Sequence, residues 1–211
     1  TKQYKNKIQG LRGRSTGLVF DLQPKHLINI EQAREYKYTH YAGGVDTSYS
    51  RESDDEFAFA FAGFTVCRKC IVLSTKAMSN KGRSEPITPS DVPFHLHRFL
   101  EQARADWGFA RHVYIDSADA ATVLECRKAA KRQGGPYLFQ GSLKKPYIID
   151  RINLQAGWMA QGAYLIVRYC EPYIRELNAY SWQERKDLPE DAHDHVINAV
   201  QYAWMPYRDK I

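Results

Sequence analysis

Residues 57–66 read Phe-Ala-Phe-Ala-Phe-Ala-Gly-Phe-Thr-Val, with large and small side chains in alternation. A period of two is the pattern of a β-strand; a helix repeats near 3.6. Two more strand-like runs flank this one. Tyr41-Ala-Gly-Gly-Val-Asp46 precedes it across a polar stretch, 47–56, that reads as a loop. After it, Arg68-Lys69 turns the chain into Cys70-Ile-Val-Leu-Ser74. Together the three runs predict an antiparallel meander.

Beyond the meander the pattern changes. Asn80–Pro93 holds three prolines and reads as a loop. Phe94, His97, Phe99, Leu100, Ala103 and Trp107 recur at helical spacing, ending at Gly108. Arg111–Ile115 reads as a strand, and Thr122–Arg132 as a helix stopped by Gly134-Gly135-Pro136. Tyr137–Gln140 is a short strand, Pro146–Gln161 a helix and Ala163–Val167 a strand. Pro172–Glu184 and Ala192–Trp204 close the chain as helices. Three strands followed by alternating helices and strands predict a mixed α/β sheet with helices on its faces. Residues 1–36, basic and irregular apart from Gly17-Leu-Val-Phe20, read as a lead-in or linker to a domain spanning 37–211.

A chain of 211 residues with 44% hydrophobic content supports one substantial folded domain. The formal charge of +6 favours a polyanionic partner, nucleic acid first. No apolar run approaches the roughly 20 residues that span a bilayer, so no membrane partner is expected. The N-terminus, Thr1–Lys7, lacks the apolar core of a signal peptide and reads as the cut end of something longer. Four cysteines without a secretion signal suggest free thiols. Cys67-Arg-Lys-Cys70 has zinc-like spacing, but Cys126 and Cys170 lie far away, so a hairpin turn is the better reading.

Chemistry concentrates on three acidic points. Asp46 and Asp116 each end a strand-like run, and Asp191-Ala-His-Asp194-His195 opens the last helix. In open α/β sheets, ligands gather at strand carboxyl ends. Clustered carboxylates repel one another, and a hard divalent cation, Mg²⁺ or Mn²⁺, is their usual partner. Metals of this kind hydrolyse phosphodiesters. Asp194, His195 and Asn198 fall at helical spacings that converge on one ion, with Asp194 alternatively complementing the helix dipole. Asp191 reads as that helix's N-cap, and Asp119 as the N-cap of the Thr122–Arg132 helix. Arg127, Lys128, Lys131 and Arg132 cluster on one helix, and Lys144 and Lys145 lie just beyond. These groups suit DNA phosphates, or alternatively form an ordinary solvated face. The loop around Lys81-Gly-Arg83 is a weaker version of the same idea. Aromatics on the last two helices, Tyr173, Tyr180, Trp182, Tyr202 and Trp204, read as packing.

In order along the chain, Gly17–Phe20, Gly44-Val-Asp46-Thr, Tyr114-Ile-Asp116-Ser-Ala, the segment from Cys170 through Glu176 to Trp182, and Pro189–Ala203 resemble the C-terminal nuclease domain of the tailed-phage terminase large subunit. That resemblance implies a ribonuclease H/integrase-like fold: a mixed sheet of an antiparallel three-strand meander plus parallel strands, with helices on both faces. It implies a metal-dependent endonuclease cutting double-stranded DNA during viral genome packaging. Asp46, Asp116 and Asp194, with His195 or Asn198, would hold one or two Mg²⁺ or Mn²⁺ ions, and Lys144, Lys145, Arg127, Lys128 and Lys131 would contact DNA. Its implied partners are an N-terminal ATPase motor, the portal and the small terminase subunit, in the host bacterial cytoplasm. No Gly-x-x-x-x-Gly-Lys-Ser/Thr loop occurs here, so the chain reads as the nuclease half apart from its motor. Two departures stand out. Asp119-Ala-Ala replaces the family's acidic-Pro-Lys, and Asn198 stands where the family commonly has a metal-binding Asp. Asp194 could supply the missing carboxylate, the domain could bind metal weakly and act only on its motor, or Asn198 could be an engineered knockout. Junction resolvases and transposase-like nucleases share the fold and remain alternatives, as does a non-catalytic DNA-binding or motor-docking module.

Overall fold

The computed structural model describes residues 17–49, 56–184, 188–190, 192 and 194–211. Seven strands form one sheet: β1 (Leu27–Ile28), β2 (Tyr38–Asp46), β3 (Glu56–Thr65), β4 (Cys70–Ser79), β5 (His112–Ile115), β6 (Leu138–Gly141) and β7 (Tyr164–Val167). Their spatial order is β1-β7-β4-β3-β2-β5-β6. β2, β3 and β4 are the antiparallel meander that the alternating sequence predicts. Every other pairing is parallel, so only β3 runs against the rest. The carboxyl ends of six strands therefore share one edge of the sheet.

Six helices cover the sheet: α1 (Ile30–Arg34), α2 (Val92–Asp106), α3 (Ala120–Gln133), α4 (Ile148–Ala160), α5 (Glu171–Leu177) and α6 (His195–Trp204). The alternation in β3 explains how the two faces differ. Directly opposed residues of an antiparallel pair share a face. Ala58, Ala60 and Ala62 oppose Asp46, Gly44 and Ala42, while Phe59 and Phe61 oppose Val45 and Gly43. The small face seats α6. A Cβ on Gly44 would lie 1.8 Å from the Ala199 carbonyl oxygen, so this helix rests on bare backbone. The large face packs on α2, where Phe59 and Phe99 lie 5.7 Å apart. α4 runs beside α6, with Trp158 meeting Trp204 edge-on at 4.9 Å.

Residues 17–36 join the same core. Phe20 is buried and stacks on Tyr180, Leu18 bridges Ser181, and β1 adds an edge strand to β7. Several expected boundaries move. The helix expected over Pro172–Glu184 ends at Leu177, because Tyr180–Trp182 extend to bond Val19 and bridge Leu18 and Pro189. The helix expected from Pro146 starts at Ile148. On α2 the inward residues are Val92, Leu96, Phe99, Leu100 and Ala103; Phe94 and His97 point outward. Cys67–Cys70 is the β3–β4 turn, with Arg68 at φ 59, and all four cysteines are free. Tyr173, Tyr180 and Trp204 are core. No helix among the described residues is long and apolar enough to cross a membrane.

Candidate metal and nucleic-acid site

Asp46 is the last residue of β2, and Asp116 directly follows β5, its parallel neighbour. The Asp116 N–H donates to the Val45 carbonyl at 3.0 Å, which ties the two strand ends together. Asp116 is half-buried, and its Oδ1 accepts from the Ala118 N–H at 3.0 Å. Asp119, as expected, caps α3 by accepting from the Thr122 N–H at 2.9 Å. Its other oxygen accepts from Thr47 at 2.7 Å and Tyr49 at 2.9 Å, which pins the exit of β2 to the start of α3. Burial opposes ionisation of Asp119, but the bonds from Thr122, Thr47 and Tyr49 hold its carboxyl below the usual range.

The third acidic point arrives on α6, because Gly44 lets that helix lie close to β2. His195 Nδ1 and Asp46 Oδ2 are hydrogen-bonded at 2.9 Å. Asp194, buried, accepts from the Tyr180 hydroxyl at 3.3 Å. Asp194 is the residue at the N-cap position, and its side chain makes no cap bond. The expected cap, Asp191, lies outside the described residues. The cap that is present comes from Glu176 on α5, a residue that sequence reasoning left without a role. Its two oxygens accept from the Val196 N–H at 3.0 Å and the Ile197 N–H at 2.8 Å. A buried acid 20 residues from its partner carries no local capping pattern, so only tertiary contact reveals it.

Burial raises the Asp46 carboxyl to about 6; His195 opposes the shift, and Asp116 and Asp194 add to it. Burial likewise pushes Glu176 up to about 8 against its two backbone donors. Asp116 at the end of β5 and Asp194 at the start of α6 thus act on Asp46 at the end of β2. Among the described residues no group of three His, Cys, Asp or Glu side chains stands ready to hold an ion. The chemistry of the donors still suits a hard cation, since oxygen ligands crowd where burial penalises their charge. Asn198 is half-buried and accepts from Arg151 Nη1 at 3.5 Å.

A cavity of about 500 Å³ opens beside the site, with His195 and Glu176 on its wall together with Lys81 and Arg175. Arg175 pairs with Glu56 at 3.4 Å. Lys144 and Lys145 are exposed on the loop after β6, whose Ser142 side chain accepts from the Ser117 N–H at 3.2 Å, next to Asp116. On α3, Lys128 pairs with Glu125 at 2.8 Å, Arg127 donates to the Phe139 carbonyl at 2.8 Å, and Lys131 lies in the last turn.

No protein-family model matches this sequence, and no curated protein does. Solved structures do. The large terminase of a thermophilic bacteriophage, in complex with ADP, superposes with a TM-score of 0.72 at 18% identity, covering 95% of this chain and 50% of that one. The chain therefore spans half the length of that protein. The P22 large terminase nuclease domain gives 0.68 at 13% identity, covering 92% and 95%. The large terminase nuclease from thermophilic phage G20c, with bound magnesium, gives 0.50 at 16%, covering 91% and 88%. The fold is that of the ribonuclease H-like terminase nuclease domains.

Proposed function

We propose that this chain is the nuclease domain of a phage-type large terminase and a metal-dependent endonuclease acting on double-stranded DNA. The observation that supports it most is the meeting of Asp46, Asp116 and Asp194 at one edge of this fold, where Asp116 and Asp194 each raise the cost of ionising Asp46. Asp46 and Asp116 would hold one or two Mg²⁺ or Mn²⁺ ions, with Asp194, His195 or Asn198 completing the set. Bound there, such an ion supplies an activated water and neutralises charge on the phosphate. His195 orients the Asp46 carboxylate, Glu176 holds the first turn of α6, and Lys144 and Lys145 meet the DNA backbone. Phosphate contacts carry no base information, so cutting depends little on sequence. The ATPase motor of the same large subunit, the portal and the small subunit are the proposed partners, in the host cytoplasm, with residues 1–36 as the lead-in.

A second reading, a DNA-binding module with weakened catalysis, is favoured by one observation: the neutral Asn198 amide accepts from Arg151 at 3.5 Å. Cleavage of supercoiled plasmid with Mn²⁺, by this chain and by Asp46→Ala, tests both. Cutting that disappears with Asp46 supports the nuclease. DNA binding with no cutting by either protein supports the module. Preference for four-way junctions over linear duplex would point to a resolvase instead.

A further inference from the structure

Arg151 lies in the first turn of α4, where a cation opposes the helix dipole, so helix stability gives no reason for it. Its guanidinium carbon sits 5.8 Å from the centroid of the Tyr202 ring. Its Nε is buried without a partner, and its hydrogen bond to the neutral Asn198 amide, at 3.5 Å, is at the limit of such bonds. No ion pair among the described residues includes it. Arg stays charged when buried, and a half-buried guanidinium without an anion is costly. Tyr202, against which it packs, is within electrostatic range of Asp46, Asp116 and Asp194 as well. Arg151 thus shares Tyr202 as a neighbour with the carboxylates. It also lies just past the connection, from β6 to α4, that carries Lys144 and Lys145.

We propose that Arg151 binds a backbone phosphate of nucleic acid entering the carboxylate site, and that Asn198 is neutral so that this guanidinium stays available. The planar fork of Arg matches two phosphate oxygens. A carboxylate at position 198 would stand against Nη1 and occupy it as an ion pair; the amide oxygen holds it only weakly. The nature of the ligand rests on the nuclease reading above, whereas the absence of an anion beside this guanidinium among the described residues does not.

The test is fluorescence anisotropy of a short labelled duplex over a KCl series, with Ca²⁺ present and Mn²⁺ absent, for the parent chain, Arg151→Gln, Arg151→Lys and Asn198→Asp. Each phosphate neutralised contributes about 0.9 to the slope of log K against log salt. The expected result is a slope shallower by about one in Arg151→Gln and in Asn198→Asp, and a slope kept by Arg151→Lys. An unchanged slope in Arg151→Gln, or parent-like binding by Asn198→Asp, overturns the proposal. Should Arg151→Gln fail to fold, the Arg151→Lys and Asn198→Asp pair decides alone. Plasmid cleavage with Mn²⁺ is read separately. A parent chain that shows the Arg151-dependent slope but never cuts overturns the nuclease reading and leaves the phosphate site standing.

Discussion

His195 Nδ1 lies 2.9 Å from Asp46 Oδ2, which joins the first residue of the last helix to the last residue of β2 across 149 positions of sequence. The bond requires α6 to lie unusually close to the sheet, and Gly44 and Ala60 provide that closeness.

Gly44→Ala should therefore displace α6. Its Cβ would meet backbone, which cannot rotate away, so the loss should reach about 3 kcal/mol, the upper range for overpacking. Gly157→Ala, in the interior of α4 with open space around it, should be neutral or stabilising by roughly 0.5–1 kcal/mol. Urea unfolding of the two variants checks the contrast.

Removing Asp46 should separate stability from activity. Asp46→Asn should reduce plasmid cutting to background. Without metal at pH 7 its melting temperature should equal or exceed the parent's, because burial and the neighbouring Asp116 and Asp194 make the Asp46 charge costly. A clear drop in melting temperature would mean that the bond from His195 outweighs that cost.

Stability without metal should fall as pH rises. Burial raises Asp46 from 3.8 to about 6 and Glu176 from 4.5 to about 8. Between those values the folded state binds more protons than the unfolded one, so stability is greatest below each interval and declines through it. Asp119 acts in the opposite sense, but its contribution is lost only as pH falls below about 4, near the carboxylate reference range. The urea midpoint in EDTA should be higher at pH 5.5 than at pH 8. Mn²⁺ should raise it more at pH 8, since the metal takes the ionised ligands. A midpoint that climbs from pH 5.5 to 8 in EDTA would contradict this.

Glu176→Ala should unfasten the start of α6. It leaves the Val196 and Ile197 N–H groups without their acceptor, at about 1–2 kcal/mol, the usual cost of losing a cap. Hydrogen exchange should rise first at Val196 and Ile197, ahead of the rest of α6.

The double variant Lys144→Ala/Lys145→Ala should weaken duplex binding and flatten its salt dependence by up to about two phosphate contacts. Lys131→Ala, at the far end of α3, should change neither. Anisotropy with the same duplex measures both.

Much of this protein was legible from local pattern. The alternation in β3 identifies a strand, Arg68-Lys69 a turn and Asp119 a cap, because each depends on neighbours within a few residues. Asp46 and Asp116 were readable as a pair because strand ends followed by loops are where parallel sheets gather ligands. The extent of α5 was not, since Tyr180–Trp182 are held extended by residues 18, 19 and 189.

By itself, then, the sequence determined the elements, the strand-end position of two carboxylates and the resemblance carried by their order. Tertiary structure alone decided which side chains face which. It tied the loop after β6 to Ser117, next to Asp116, made distant Glu176 the cap of α6, and turned Arg151 toward Asn198. Periodicity records which face of an element is buried, because that follows from backbone geometry. It does not record what lies across the interface, because those partners are chosen by packing between segments far apart in the chain.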